Sequence, residues 1–206
     1  MITEKQLKIF ETFAKRPFAE FTRKQIKKDA KQKSNNALAL TINRLKKEEV
    51  LIEKKIGKTG LLMLNMANDL TVQYITLSNN KKLDKTAKTV IKRINEEIAA
   101  ITPFYSLAIF GSYALNEQKE LSDLDIAIFI ETKNKQKQIE AALNSARMKT
   151  LIKIDSHIIP KKEMIEMLTH DEENLGKQIA RKHMTVHNPH IFYDIIKEGI
   201  KHGFRA

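Results

Sequence analysis

An α/β fold of the α+β kind, a small helical unit followed by a sheet with flanking helices, is what the sequence predicts. Three observations predict it. Within the first eighty residues, three helical apolar stripes precede two short apolar runs around a glycine turn. From residue 83 to 159, helix-spaced and strand-like apolar runs alternate, the pattern of an α/β core. Charge divides the chain in the same way. Residues 1–80 carry sixteen Lys and Arg against eight Asp and Glu, a balance of +8, whereas 81–206 carry twenty-one against seventeen, only +4. A chain of 206 residues has room for two small domains, expected at 1–78 and 79–206.

Residues 3–15 place Leu7, Phe10, Phe13 and Ala14 on one helical stripe, ended by Pro17. Thr22 followed by Gln25 makes a capping box for a short second helix, with Ile26 and Ala30 facing inward. Ser34 caps a third helix whose buried stripe is Leu38, Ile42 and Leu45. Its opposite face carries Asn36, Ala39, Asn43 and Lys46 or Lys47, types that include base-edge hydrogen bonders and phosphate neutralisers. Two strand-like runs at 50–55 and 61–64 then flank a turn around Gly57-Lys58-Thr59-Gly60. Gly57-Lys58-Thr59 is not a P-loop: that pattern needs glycine where Ile52 stands, and no helix pattern follows.

In these features residues 1–70 resemble the winged helix-turn-helix superfamily of transcriptional regulators. The resemblance implies that the third helix enters the DNA major groove, with Asn35, Asn36, Asn43 and Arg44 as DNA contacts. It also implies that Lys54, Lys55 and Lys58 reach phosphates from the wing. Members of this superfamily also mediate protein assembly, and many bind palindromes as dimers, so a homodimer is compatible with the pattern.

Between the two units, Ser78-Asn79-Asn80-Lys81-Lys82 is polar and serves as the expected linker, able to start a helix. Leu83, Ala87, Val90, Ile91, Ile94 and Ile98 follow at helical spacing, and Pro103 closes that helix before the first strand. The run Leu107-Ala108-Ile109-Phe110 reads as a short buried strand ending at Gly111-Ser112, and residues 125–130 as a second. A helix over 135–148, with Ile139, Ala142, Leu143 and Ala146 inward, crosses to a third strand at 151–159.

The polar residues around these strands suggest phosphate and metal chemistry. Glycine at a strand end permits close backbone approach, and the N–H groups beyond it, with the Ser112 hydroxyl, can hold phosphate oxygens. Asp123 and Asp125, at i and i+2, point the same way and can grip a hard cation. On the third strand, alternation puts Lys153, Asp155 and His157 on one face and Ile152, Ile154 and Ile158 on the other.

Gly111-Ser112, ten intervening residues, Asp123-Leu124-Asp125 and Asp155 on the next strand resemble the polymerase-beta-like nucleotidyltransferase superfamily. Within it, the resemblance is to the small group called minimal nucleotidyltransferases, and it covers roughly residues 83–170. It implies a small domain with a mixed sheet, and transfer of a nucleoside monophosphate from a nucleoside triphosphate to an acceptor hydroxyl with two Mg2+ ions. ATP is the expected donor. Gly111 and Ser112 would hold the triphosphate, Asp123 and Asp125 both metals, and Asp155 the metal on the nucleophile side. Minimal nucleotidyltransferases commonly serve as antitoxins that adenylylate a paired toxin, so a protein acceptor or toxin partner is also implied. A DNA-binding regulator or antitoxin whose second domain only senses nucleotide is the alternative function.

The remaining chain is read as helices at 161–168, 172–181 and 193–200. His183, His187 and His190 lie close together in sequence and could bind a transition metal, though Asn188-Pro189 between them favours a turn and packing roles. Composition sets the outer limits. A net charge of +12 favours a polyanionic partner, and the absence of Cys excludes disulfides and thiolate zinc sites. No apolar stretch reaches the ~20 residues that span a bilayer, and the N-terminus lacks a signal-peptide pattern, so a cytoplasmic location is expected.

Overall fold

The computed structural model describes residues 2–119, 122–150 and 152–205. The chain divides into two compact units, Met1–Ser78 and Asn79–Ala206.

In the first unit, helix α1 (Glu4–Ala14) opens with a full capping box: the Thr3 side chain accepts from Gln6 N–H while the Gln6 side chain accepts from Thr3 N–H. Its Leu7, Phe10, Phe13 and Ala14 are buried. The box expected at Thr22 and Gln25 forms in the same way and starts α2 (Arg23–Asp29). Helix α3 (Asn35–Lys47) begins at Ser34, whose hydroxyl accepts from Ala37 N–H at 3.1 Å, and it buries Leu38, Thr41, Ile42 and Leu45.

Strands β2 (Leu51–Ile56) and β3 (Thr59–Leu64) pair antiparallel, closed by Ile56 opposite Thr59. The turn is therefore only Gly57-Lys58, tighter than the four-residue reading, and Gly57 takes it with φ of +56°. A third strand, β1 (Phe21–Thr22), adds to β3 with Phe21 opposite Leu62. Two residues are too few to show a period, so the sequence displayed Thr22 only as a cap.

Helix α4 (Asp69–Lys82) runs through the segment read as a linker. Asn79, polar but 1% exposed, is held there by its Nδ2, which donates to the Thr185 carbonyl at 3.1 Å. The polar residue Asn79 is thus held by a buried bond within the second unit.

The second unit continues with α5 (Lys85–Ala99), β4 (Tyr105–Ile109), α6 (Gly111–Leu115), β5 (Leu124–Ile130), α7 (Gln136–Met148) and β6 (Ile154–Pro160). It ends with α8 (Lys161–Thr169), α9 (Leu175–Arg181), β7 (Met184–His187) and α10 (Pro189–Lys201). The sheet order is β6-β5-β4-β7, with β5 and β6 parallel and β4 antiparallel to both β5 and β7. It is a mixed sheet, and the fold is α/β in the α+β sense.

Both faces of this sheet are covered, which is why its strands read as near-continuous apolar runs. On one face Leu107, Ile109, Ile126, Ile128 and Ile130 pack with Ile91, Ile94, Ile98, Ile139 and Leu143 of α5 and α7. Each such buried side chain contributes about 1.5–3 kcal/mol relative to exposure. On the other face Phe129 meets Phe192 of α10 at a ring distance of 4.9 Å.

Three expectations shift. Helix α9 starts at Leu175 rather than 172, because the Asn174 side chain accepts from Lys177 N–H and caps it there. Helix α10 starts at Pro189, whose missing N–H is tolerated at the first helical position. The third strand begins at Ile154, and Leu151 lies outside the described residues. Among the described residues no helix is long and apolar enough to cross a membrane.

Candidate nucleotidyl-transfer site

Strand β4 ends, and strands β5 and β6 begin, at the same end of the sheet. Backbone bonds lock the three together: Phe110 N–H donates to the Asp125 carbonyl at 3.0 Å, and Leu124 N–H to the Lys153 carbonyl at 2.8 Å. The parallel register sets Asp125 beside Asp155 and Ala127 beside His157. Since Ile126 and Ile154 face the core under α5 and α7, their neighbours Asp125 and Asp155 face the other way. Phe110 shares that face, its ring 5.8 Å from the His157 imidazole.

Gly111 follows at φ of +64°, a left-handed conformation that costs other residues energy. A second constraint is steric. A Cβ built on Gly111 would collide with Oδ2 of Asp125, so only glycine lets the turn close on that carboxylate. Ser112, half-buried, follows at the start of α6, and its carbonyl accepts from Glu117 N–H at 2.9 Å.

Three carboxylates therefore gather beside one glycine turn. Burial first, and then the negative charges of Asp155 and Asp123, push the Asp125 carboxyl above the ordinary range. Two basic side chains stand against these acids: Lys153 donates from Nζ to Oδ2 of Asp123 at 2.6 Å, and His157 Nε2 lies 3.7 Å from Oδ2 of Asp155. The Asp123 bond, with the charges of Asp155 and Asp125 adding to it, raises the Lys153 ammonium pKa. Among the described residues no three His, Cys, Asp or Glu side chains converge closely enough to hold a metal ion as they stand. The donor chemistry still fits a hard divalent cation. The set is oxygen-only and its charges repel one another, which is what a divalent cation would relieve.

Of the sequence-predicted residues of this site, Gly111 closes on Asp125, Asp155 lies beside Asp125 in register, Asp123 acts on the charge of Asp125, and Ser112 follows Gly111 at the start of α6. Asp123 immediately precedes β5 rather than lying within it. Lys153 and His157 were visible only as occupants of the Asp155 face. Their partners depend on which strands are neighbours.

The histidine trio does not form a centre. His183 is 4% exposed, with Nδ1 3.0 Å from the Ile179 carbonyl and Nε2 3.3 Å from the Tyr193 hydroxyl. Burial pushes its pKa down to about 4. His187 stacks on Tyr105 at 4.4 Å, and His190 is exposed. They face different neighbours because β7 and the start of α10 separate them.

In the first unit, Asn36, Asn43, Lys55 and Lys58 are exposed, as the helix and hairpin patterns predicted. Asn35 is exposed but its Oδ1 accepts from Lys27 Nζ at 2.6 Å. Lys54 lies 3.6 Å from Glu20. Arg44 differs from the expectation. It donates to Glu48 at 2.8 Å and to the Gln6 side chain at 2.9 Å, and Glu48 also accepts from the Tyr74 hydroxyl. It ties α3 to α1 and to the Tyr74 side of α4.

Residues 89–185 match the family model described as Polymerase beta, Nucleotidyltransferase, a span that contains the glycine turn and all three acids. No curated protein and no solved structure matches the chain. The family match supports the nucleotidyltransferase superfamily for this segment, and nucleotidyl transfer as its general activity.

Proposed function

We propose that the second unit transfers a nucleoside monophosphate, AMP from ATP in the first instance, to an acceptor hydroxyl. The observation that carries this reading is the contact of a Cβ-less Gly111 with the Asp125 carboxylate, with Asp155 on the adjacent strand. Asp123, Asp125 and Asp155 are the groups that would hold two Mg2+ ions. Magnesium, when bound, supplies positive charge that neutralises the triphosphate and lowers the pKa of the acceptor hydroxyl. The Gly111-Ser112 turn orients the triphosphate through backbone N–H groups and the Ser112 hydroxyl. The acceptor oxygen forms a bond to the α-phosphorus, the bond to pyrophosphate breaks, and the acceptor proton leaves to solvent. Holding donor and acceptor in line is the main contribution of the protein.

The test is incubation of the purified protein with Mg2+ and each α-labelled nucleoside triphosphate, alone and in cell lysate. Label should appear on a macromolecule or small acceptor and be lost in Asp125→Asn. Absence of transfer from every triphosphate overturns the reading.

We further propose that the first unit is a winged helix-turn-helix module that binds DNA. In support, α3 presents exposed Asn36 and Asn43 while the β2–β3 hairpin carries exposed Lys55 and Lys58. A second reading of the whole chain is a DNA-binding regulator or antitoxin whose other domain senses nucleotide or docks a partner protein. The Lys153–Asp123 ion pair favours it, because it neutralises a carboxylate that transfer chemistry would use. If Asp125→Asn abolishes transfer while the cellular effect persists, the second reading prevails.

A further inference from the structure

Lys153 is a charged residue at the acidic end of the sheet to which the proposed reaction gives no role. It precedes β6 on the Asp155 face, and its backbone is fixed there, since its carbonyl accepts from Leu124 N–H at 2.8 Å. Its side chain is 80% exposed and donates to Oδ2 of Asp123. That bond places an ammonium beside a carboxylate that would have to bind a divalent ion. An exposed ion pair of this kind is worth at most about 1 kcal/mol, so a divalent cation displaces it readily. Once displaced, the ammonium stays tethered within reach of the glycine turn, where a polyphosphate would carry the largest negative charge.

We propose that Lys153 is a displaceable counterion: it occupies Asp123 when the site is empty and moves onto the triphosphate when the metal takes Asp123. The inference rests on the assignment of Asp123, Asp125 and Asp155 as the metal-nucleotide site and adds a residue that couples the two ligands. Lys153 then acts with opposite sign on them. It competes with the metal while no nucleotide is bound, and it supports nucleotide once the metal is in place. A lysine that merely stabilised the fold would not produce that pair of effects.

The test uses Mn2+ as the probe, read by electron paramagnetic resonance of the free ion, on the full chain and its Lys153→Met and Lys153→Arg variants. Without nucleotide, Lys153→Met should bind Mn2+ up to about fivefold more tightly than the parent, the value of an exposed pair, while Lys153→Arg stays near it. With Mn2+ saturating, affinity for a non-hydrolysable α,β-methylene nucleoside triphosphate should fall roughly three- to tenfold in Lys153→Met, the loss of one charge-assisted phosphate contact. Mn2+ uptake that is equal in parent and Lys153→Met, or triphosphate affinity that does not change, overturns the displacement while leaving the transferase reading intact. If neither protein takes up Mn2+ even with the triphosphate present, both are overturned.

Discussion

Phe110 donates its backbone N–H to the carbonyl of Asp125 at 3.0 Å, one residue before a glycine that admits no side chain against the carboxylate of the same aspartate. Turn and acid are thus one mechanical unit. A shift of the chain at 110–112 moves Asp125 as well.

Gly111→Ala tests that coupling. Positive φ alone costs about 1–2 kcal/mol, and the added methyl must also push Asp125 aside. The expected outcome is a lower melting temperature of the second unit together with loss of transfer. Thermal unfolding and the labelled-triphosphate assay measure the two effects on one preparation.

Asp125→Asn separates activity from stability. Because burial and two like charges raise its carboxyl pKa in the fold, the folded state binds this proton more tightly than the unfolded state does. The ionised group therefore opposes folding: its destabilisation is absent below the unfolded pKa and fully present once pH rises above the folded one. At neutral pH the neutral isostere should raise the melting temperature by on the order of 1–3 °C while transfer disappears. A drop in melting temperature would contradict the electrostatic account.

His183 predicts the opposite slope. Its pKa is pushed down to about 4 by burial, so the unfolded chain takes up a proton between pH 6.5 and 4 that the fold refuses. Stability is complete above pH 6.5 and falls on acidification, by about 2 kcal/mol between pH 7 and 5. Urea unfolding at both pH values should show this loss in the parent and a smaller one in His183→Gln.

On the first unit, Asn43→Ala combined with Lys54→Ala should weaken binding to DNA selected by the parent protein and leave nucleotidyl transfer unchanged. Loss of a phosphate contact lowers the salt dependence by about one unit of slope, whereas loss of a base contact costs about 1–3 kcal/mol on the preferred sequence only. Fluorescence anisotropy across a salt series distinguishes them.

Arg44→Ala should behave differently from Asn43→Ala. Arg44 is already engaged by Glu48 and Gln6, and Glu48 by Tyr74, so its removal leaves Glu48 with one fewer partner. The expected result is a lower melting temperature of the first unit, with a smaller change in DNA affinity than Asn43→Ala gives. Equal stability to the parent would show that the network contributes nothing.

The sequence by itself determined the helices over 85–99 and 136–148 down to the buried faces, because a 3.6-residue period is a local property of the backbone that burial then uses. It likewise determined the Thr22–Gln25 capping box and the glycine before Ser112, whereas the box at Thr3 and Gln6 emerged only in the structure. Tertiary structure alone decided that β6 lies beside β5, which is what brings Asp155 to Asp125 and Lys153 to Asp123. It also decided that four residues ending at His187 form an edge strand, scattering three histidines that are close in sequence. Strand neighbours are chosen by pairing between distant segments, and the partner of a charged side chain follows from that choice, so neither leaves a periodic trace along the chain.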